Sequence, residues 1–137
     1  MEKKFPLYGL DVSETSSPLE AGLGWAVDLE SEGFIGQDAL MRQRDDGTTR
    51  LLMGIEFADL SFVPAAGDVV SGPDGDHGTL TSADRGWFLG KALAMGYLPA
   101  GLPSGSTVSV TAANGVHAEG RTTNRPFYDP EGARVRS

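Results

Sequence analysis

The chain has 137 residues, the size of one ordinary domain, with a net charge of −8 and no cysteine. An acidic surface repels phosphate backbones, so we expect no nucleic-acid partner. The lack of cysteine excludes disulfides, thiolate nucleophiles and cysteine-ligated metals. No run of about 18 apolar residues occurs, so we expect no membrane span, and the N-terminus lacks the apolar core of a signal peptide, which favours a cytoplasmic location.

The first notable stretch is SPLEAGLGWAV, residues 17–27, which places one carboxylate, Glu20, inside an apolar run. One interpretation is that Glu20 caps a turn by accepting hydrogen bonds from backbone N–H groups. The other is that it forms part of the wall of a ligand site. Trp25 in this stretch, like Trp87 later in the chain, is able to stack on a flat ligand, but we favour core positions for both tryptophans.

A short helix is predicted over residues 37–44, where the sequence QDALMRQR consists largely of helix-forming residues. Arg42 and Arg44 suit the negative end of the helix dipole, and Gly47 stands where a glycine commonly ends a helix. This is the only helix that the pattern favours.

From residue 48 onwards the pattern predicts β-structure. RLLMGIEF, residues 50–57, is a strand candidate, and the apolar run over residues 89–98 contains too many glycines for a helix. The turn sequences PDG, residues 73–75, and NG, residues 114–115, indicate hairpins. About six short strands with hairpin links predict a small closed barrel, because closure removes exposed strand edges. The expected fold is therefore mainly β with a minor helical part.

No standard catalytic constellation is evident. His77 and His117 lie at predicted turns and are expected to be solvated, and no metal-binding, nucleophile-elbow or phosphate-loop motif occurs. Asp11 and most other carboxylates are predicted to lie on a solvated acidic face. Glu2 and Glu20 differ, because apolar neighbours would let either carboxylate pair with the NH groups of a heterocycle. From the residues alone we favour a capping or ion-pair role for them.

Taken in order, six motifs resemble one family. The motifs are LYGLDVSETSSPLEAGLGWAV, GFIGQDAL, RLLMGIEF, GTLTS, KALAMGYL and RPFYDPEG. Their order resembles that in the C-terminal part of glycine cleavage T-protein (aminomethyltransferase). The same order occurs in its relatives, the folate-linked demethylating domains of dimethylglycine and sarcosine oxidising enzymes. The resemblance covers nearly the whole chain. It implies a six-stranded antiparallel Greek-key barrel over residues 48–137, preceded in residues 1–47 by the C-terminal end of an α/β folate-binding domain.

The resemblance also implies a function. Family members hold tetrahydrofolate in a central channel and transfer a one-carbon unit to it, and in glycine cleavage the donor arrives on a lipoyl carrier protein. The family's catalytic aspartate lies in its N-terminal part, so we expect a C-terminal fragment that is inactive alone. An N-terminal half supplied in trans is one of its expected partners. The alternatives are a non-catalytic barrel module for interaction and a fragment of a folate-dependent demethylase of the dimethylglycine or sarcosine type.

Two residues acquire candidate roles in folate binding through this resemblance. The family's pterin-binding glutamate, in the motif R-x-E-x-x-x-x-L-Y-G, matches Glu2. Arg50 matches a basic position and is able to meet the glutamate tail of folate, although a surface arginine at a strand end is the alternative that we slightly favour. The pattern around Glu20 resembles a structural motif, so we predict that Glu20 caps a helix or turn start. Tyr128 is offset from a tyrosine near the family's C-terminus, and no role is transferred to it.

Overall fold

The structure, a computed structural model, describes residues 1–31, 33–58 and 60–134. A 3₁₀ helix, Gly24–Ala26, and an α-helix, α1 (Gln37–Asp46), precede six strands. The strands are β1 (Arg50–Phe57), β2 (Val69–Ser71), β3 (His77–Gly86), β4 (Lys91–Pro99), β5 (Thr107–Thr111) and β6 (His117–Thr123). The predicted class, mainly β with a minor helical part, is confirmed.

The six strands form a closed barrel in the order β1-β4-β3-β2-β5-β6, and every neighbouring pair is antiparallel. Three consecutive strands, β2, β3 and β4, are joined as hairpins, and β1 lies beside β4, which is the arrangement of a Greek key. The predicted six-stranded antiparallel barrel is therefore confirmed. Closure pairs the outer strands, so the described barrel has no open edge.

The barrel interior follows from the alternation of side chains along each strand. On β5, Val108 and Val110 are buried, whereas Ser109 and Thr111 between and after them are only partly buried. Burial of these alternating apolar side chains is the main source of stability. The buried core cluster comprises Met53, Ile55, Phe57, Val70, Leu80, Ala92, Ala94, Leu98, Val108 and Val110.

The predicted turn at residues 114–115 is present, and two predicted elements have slightly different bounds. Gly115 has a φ of 81°, and the Asn114 side chain accepts a hydrogen bond from the Val116 N–H at 3.0 Å, so this pair builds the β5–β6 turn. Helix α1 extends two residues beyond the predicted end and stops before Gly47, whose φ is 85°. The strand predicted from residue 89 begins at Lys91, because residues 87–90 form the β3–β4 turn.

The part of the chain before α1 lies against the barrel through polar contacts. The Leu52 N–H on β1 donates to the Glu20 carbonyl at 2.8 Å. Asp11 is buried, and its carboxylate accepts hydrogen bonds from the hydroxyls of Thr81 and Ser82, both at 2.6 Å. The prediction that Asp11 lies on a solvated face is therefore wrong. The hydroxyl donors on β3 that stabilise it are 70 and 71 residues away in the sequence.

Candidate functional site

Glu2 lies between the β3–β4 turn and the C-terminal tail. Its Oε1 accepts a hydrogen bond from the Phe88 backbone N–H at 3.0 Å, and its carbonyl accepts one from the Tyr128 N–H at 3.0 Å. A neighbouring contact fixes the same region, because the Lys3 ammonium lies 2.8 Å from an Asp129 carboxylate oxygen. Backbone groups from two distant parts of the chain thus position this carboxylate.

Aromatic side chains surround Glu2. The rings of Phe88 and Tyr128 meet edge to face with centroids 4.7 Å apart. Trp87 and Phe88 remain 74% and 67% exposed, and the Arg85 guanidinium lies 5.7 Å from the centroid of the Trp87 ring. Glu2 and these turn residues line a cavity of about 500 Å³, which we call the Glu2 cavity; its lining residues are Met1, Glu2, Lys3, Asp84, Arg85, Trp87 and Phe88.

The chemistry of the Glu2 cavity suits a flat, NH-bearing ligand. Within the described residues, the Glu2 carboxylate accepts one hydrogen bond, at Oε1. A carboxylate has about four acceptor sites, so Oε2 is able to accept from a ligand. Exposed aromatic rings beside it offer stacking surface. The cavity therefore combines an acceptor with flat apolar walls.

Arg50, the second predicted folate contact, is already engaged by protein groups. Its Nε donates to Glu20 Oε1 at 3.0 Å, and one terminal nitrogen donates to the Thr15 carbonyl at 3.0 Å. Its guanidinium carbon lies 4.4 Å from the centroid of the Tyr97 ring. These contacts join the start of β1 to the preceding segment and give Arg50 a structural role.

Glu20 caps the turn as predicted. The Ser17 N–H donates to Glu20 Oε2 at 3.0 Å, and the Glu20 N–H donates to Ser17 Oγ at 3.1 Å. This reciprocal pair is a capping box of the S-x-x-E type. The interpretation of Glu20 as a cap is confirmed, and the signal was already present in the sequence SPLE.

The Glu20–Arg50 pair shifts both ionisations. Burial alone would raise the pKa of Glu20, but hydrogen bonds from Arg50 and the Ser17 N–H, together with the charge of Arg50, hold that pKa below its ordinary value. The hydrogen bond to Glu20 raises the pKa of Arg50 against the opposing effect of burial. Both groups are charged at neutral pH.

A first prediction concerns the Glu20→Gln variant. We expect it to lower the free energy of unfolding by about 1 kcal/mol at pH 7, because it loses the charge-assisted bond while the half-exposed Arg50 limits the ion-pair contribution. Since the folded pKa of Glu20 lies below its unfolded value of about 4.3, this contribution is present above that pH and is lost as the pH falls. Urea unfolding of both proteins at pH 7 and pH 3 checks this. A difference that persists undiminished at pH 3 would contradict it.

The structure does not bring Glu2 and Arg50 together. Arg50 pairs with Pro99 at one end of β4, whereas Glu2 contacts the turn that precedes Lys91 at the other end. A nine-residue strand separates its ends by roughly 26 Å at about 3.3 Å per residue. One ligand group cannot contact both residues.

Both tryptophans lie on the surface, so the prediction of core positions for Trp25 and Trp87 is wrong. Trp25 is 84% exposed and Trp87 is 74% exposed. Other large apolar side chains of residues 5–35 and of the β3–β4 turn are also exposed, namely Phe5, Leu7, Tyr8, Leu10, Ile35 and Phe88. Composition alone does not predict this exposure, because large apolar side chains occur both in cores and on surfaces.

The two histidines are exposed, as predicted. His77 Nδ1 lies 3.2 Å from Ser71 Oγ, and His117 Nδ1 lies 2.8 Å from Thr111 Oγ1, so each bonds to its cross-strand neighbour. Across the described ranges, no three His, Asp or Glu side chains gather closely enough to hold a metal ion. In the same part of the chain, no helix is long and apolar enough to cross a membrane.

Comparisons with known proteins agree on one family. The family described as "Glycine cleavage T-protein C-terminal barrel domain" matches residues 50–129. An aminomethyltransferase of Symbiobacterium thermophilum is 38% identical over 128 residues, which cover 93% of this chain and 34% of the relative. An aminomethyltransferase of Shouchella clausii is 34% identical over 128 residues, covering 93% and 35%.

A solved structure gives the same result at the level of the fold. The glycine cleavage system aminomethyltransferase T from Bartonella henselae matches with a TM-score of 0.83 and 27% identity, over 94% of this chain and 37% of that one. The chain thus spans about a third of the length of the relatives that it matches.

Proposed function

Because this chain belongs to the glycine cleavage T-protein C-terminal barrel domain family, we propose that it contributes to tetrahydrofolate binding and one-carbon transfer as part of an aminomethyltransferase. The observation that carries the proposal is the Glu2 carboxylate, held by the Phe88 N–H beside exposed aromatic rings. Its free oxygen accepts hydrogen bonds from the NH groups of the pterin, and Trp87 and Phe88 cover the flat face of the ring system.

Transfer itself needs a larger protein than these 137 residues. The relatives named aminomethyltransferases are about three times as long as the matched segment. We propose that residues 1–47 form the tail of a folate-binding domain, and that the exposed side chains of Trp25 and Ile35 pack against the remainder of it. Under this proposal the 137 residues alone do not transfer a one-carbon unit, and the remainder is needed in the same chain or in trans.

Arg50 is the weaker of the two candidate folate contacts. It remains a proposed contact for the carboxylates of the folate tail, because its side chain is 42% exposed. Against this, Glu20, Thr15 and Tyr97 already engage it. If Arg50 is only structural, Arg50→Lys weakens the fold and leaves folate affinity unchanged.

The partner that carries the one-carbon donor is proposed from the relatives alone. The Bartonella henselae protein is named as part of the glycine cleavage system, so we propose the lipoyl carrier protein of that system as a partner. The cytoplasm stays the predicted location. A folate-dependent demethylase would use the same folate contacts with another donor, and a donor assay separates the two.

A second candidate function is a non-catalytic module that binds another protein. The exposed side chains of Phe5 and Trp25, which line one cavity, favour it, because monomeric proteins seldom expose large contiguous apolar patches. The two candidates differ in one respect that is easily measured. An interaction module has no need of the Glu2 carboxylate, whereas folate binding depends on it.

A second prediction tests this difference with a fused protein. The part of the Symbiobacterium thermophilum aminomethyltransferase that precedes the matched segment is joined to this chain, and tetrahydrofolate binding is measured by calorimetry. Glu2→Gln keeps the size but loses the charged acceptor, so we expect affinity to fall at least about tenfold. Glu14→Gln, an equal charge change at an exposed position, should leave it within about twofold. Equal affinities for the wild-type and Glu2→Gln fusions would contradict the assignment of Glu2.

A further inference from the structure

The C-terminal tail, residues 124–134, folds back against the turn of residues 1–4 that contains Glu2. The Tyr128 N–H donates to the Glu2 carbonyl at 3.0 Å, and the Tyr128 ring meets the Phe88 ring edge to face. The Phe88 N–H in turn donates to the Glu2 carboxylate at 3.0 Å. The tail, the first turn of the chain and the β3–β4 turn therefore meet at Glu2.

Asp129 organises the tail at this point. Its side chain is only 7% exposed, and its carboxylate accepts hydrogen bonds from the Ala133 N–H at 2.9 Å and the Arg134 N–H at 3.3 Å. The Lys3 ammonium donates to the same carboxylate at 2.8 Å. This hydrogen bond from Lys3 lowers the pKa of Asp129 against the opposing effect of burial, so the carboxylate is charged at neutral pH. Asp129 thus ties the tail to the residue that follows Glu2.

Strained backbone lies on both sides of the Lys3–Asp129 ion pair. Among the described residues, the positive φ values at residues other than glycine are those of Lys4, 54°, and Asp129, 48°. Side chains with a Cβ rarely adopt this left-handed region, and such conformations persist where the surrounding contacts hold them. An ordinary surface ion pair requires no such geometry. The contact between Lys3 and Asp129 is therefore a defined element of the fold.

From the buried carboxylate, the ion pair and the strained backbone together, we propose that Asp129 is a positioning residue, which holds the Glu2 carboxylate in place through Lys3. Lys3 adjoins Glu2 in the chain, so a fixed Lys3 fixes the backbone that carries the Glu2 side chain. The Glu2 carboxylate then keeps its Oε1 on the Phe88 N–H. Asp129 does not line the Glu2 cavity, so its effect on a ligand there passes through its neighbours.

This inference rests on the proposed function in one respect. The position of Glu2 affects affinity only if the Glu2 carboxylate contacts the ligand. A carboxylate that is already held in place loses less conformational freedom on binding than a mobile one, so it binds the same ligand more tightly. Removing the Lys3–Asp129 ion pair should therefore weaken tetrahydrofolate binding without removing any group that touches the ligand.

A purely structural role for the tail makes a different prediction. The tail also contributes Phe127 to the core, so loosening it could lower the stability of the whole domain. In that case the folded variant would keep the order of residues 2 and 3. Asp129→Asn tests this cleanly, because asparagine tolerates a left-handed φ and keeps an oxygen for the Ala133 N–H. Glu131→Gln is the matched control, an equal charge change in the same tail at a side chain that is 78% exposed.

The first experiment measures NMR order parameters of backbone amides in the full 137-residue chain. We expect those of Glu2 and Lys3 to fall from about 0.85 towards about 0.6 in Asp129→Asn, with that of Ile55 in the core unchanged. Lys3→Met should have the same effect, Lys3→Arg should keep the wild-type values, and the Lys3→Met/Asp129→Asn double variant should be no more mobile than either single variant. Wild-type order at residues 2 and 3 in Asp129→Asn, or an equal fall in Glu131→Gln, would overturn the inference.

The second experiment measures tetrahydrofolate affinity in the fused protein by calorimetry. We expect Asp129→Asn to weaken binding about fivefold and Glu131→Gln to stay within about twofold of wild type. Because Asp129 acts through Glu2, adding Asp129→Asn to Glu2→Gln should weaken binding by no more than about a further twofold. Losses that multiply in full would overturn the inference, since the tail would then act on the ligand independently of Glu2.

The two experiments separate failure of this inference from failure of the proposed function. Folate binding that depends on Glu2 and ignores Asp129→Asn overturns the positioning role and keeps the function. A folded fused protein that binds no tetrahydrofolate, together with the expected loss of order at residues 2 and 3 in Asp129→Asn, overturns the function and keeps the role of Asp129 in holding Glu2.

Discussion

We expect Asp11→Ala to lower the free energy of unfolding by about 3 kcal/mol, because it removes the acceptor that three donors share, one of them buried and two partly buried. Asp11 is 2% exposed and accepts hydrogen bonds from the Thr81 and Ser82 hydroxyls and from the Leu7 N–H at 3.0 Å. Hydrogen exchange would rise first in residues 7–12, which this carboxylate holds to β3. Urea unfolding and exchange of the Leu7 amide measure the two effects.

Two variants control for the loss of charge at Asp11. Asp11→Asn keeps one oxygen acceptor for the two hydroxyls but turns an NH₂ group towards the Leu7 N–H, so we expect a smaller loss of about 1 kcal/mol. Asp46→Ala removes an exposed carboxylate at the end of α1 and should change stability by less than about 0.5 kcal/mol. If Asp11→Ala and Asp46→Ala were equally stable, the buried carboxylate would not hold the segment to the barrel.

Gly96→Ala is expected to cost about 3 kcal/mol or more, because its new methyl group meets backbone rather than a side chain that can move. A Cβ at Gly96 would lie 2.6 Å from the Thr79 carbonyl oxygen and 3.0 Å from the Leu80 Cα, so β3 and β4 would have to separate. A loss of that size lowers the melting temperature by roughly 10 °C in a domain of this length. Calorimetry of the purified variant measures it.

Gly101→Ala is the matched control for Gly96→Ala. A Cβ at Gly101 would meet no atom within 4 Å, so the same chemical change should leave the melting temperature nearly unaltered. A Gly96→Ala protein as stable as Gly101→Ala would mean that β3 and β4 do not pair as described. The pairing of these strands positions the turn that contacts Glu2.

The parts of the fold that were predicted from the sequence depend on local signals. The strand RLLMGIEF was assigned with the bounds that β1 has, and the turns at residues 73–75 and 114–115 follow from residues that favour turn geometry. Closure of the barrel follows from counting strands linked by hairpins. The cap at Glu20 is also a local feature, because both partners of its capping box lie within four residues.

What could not be predicted depends on contacts between distant residues. Burial of Asp11 requires hydroxyls on β3, and the position of Glu2 requires the Phe88 N–H, 86 residues away. Trp25 and Trp87 are residues typical of a core but lie on the surface, and their type alone does not distinguish the two positions.

Calorimetric titration of the fused protein with tetrahydrofolate is the most direct test of the claim that this domain forms part of a folate site. Saturable binding that weakens at least about tenfold when Glu2 is changed to Gln is the result we predict. A folded fused protein that releases no heat with tetrahydrofolate, or binds it equally well with Gln at position 2, would contradict the claim.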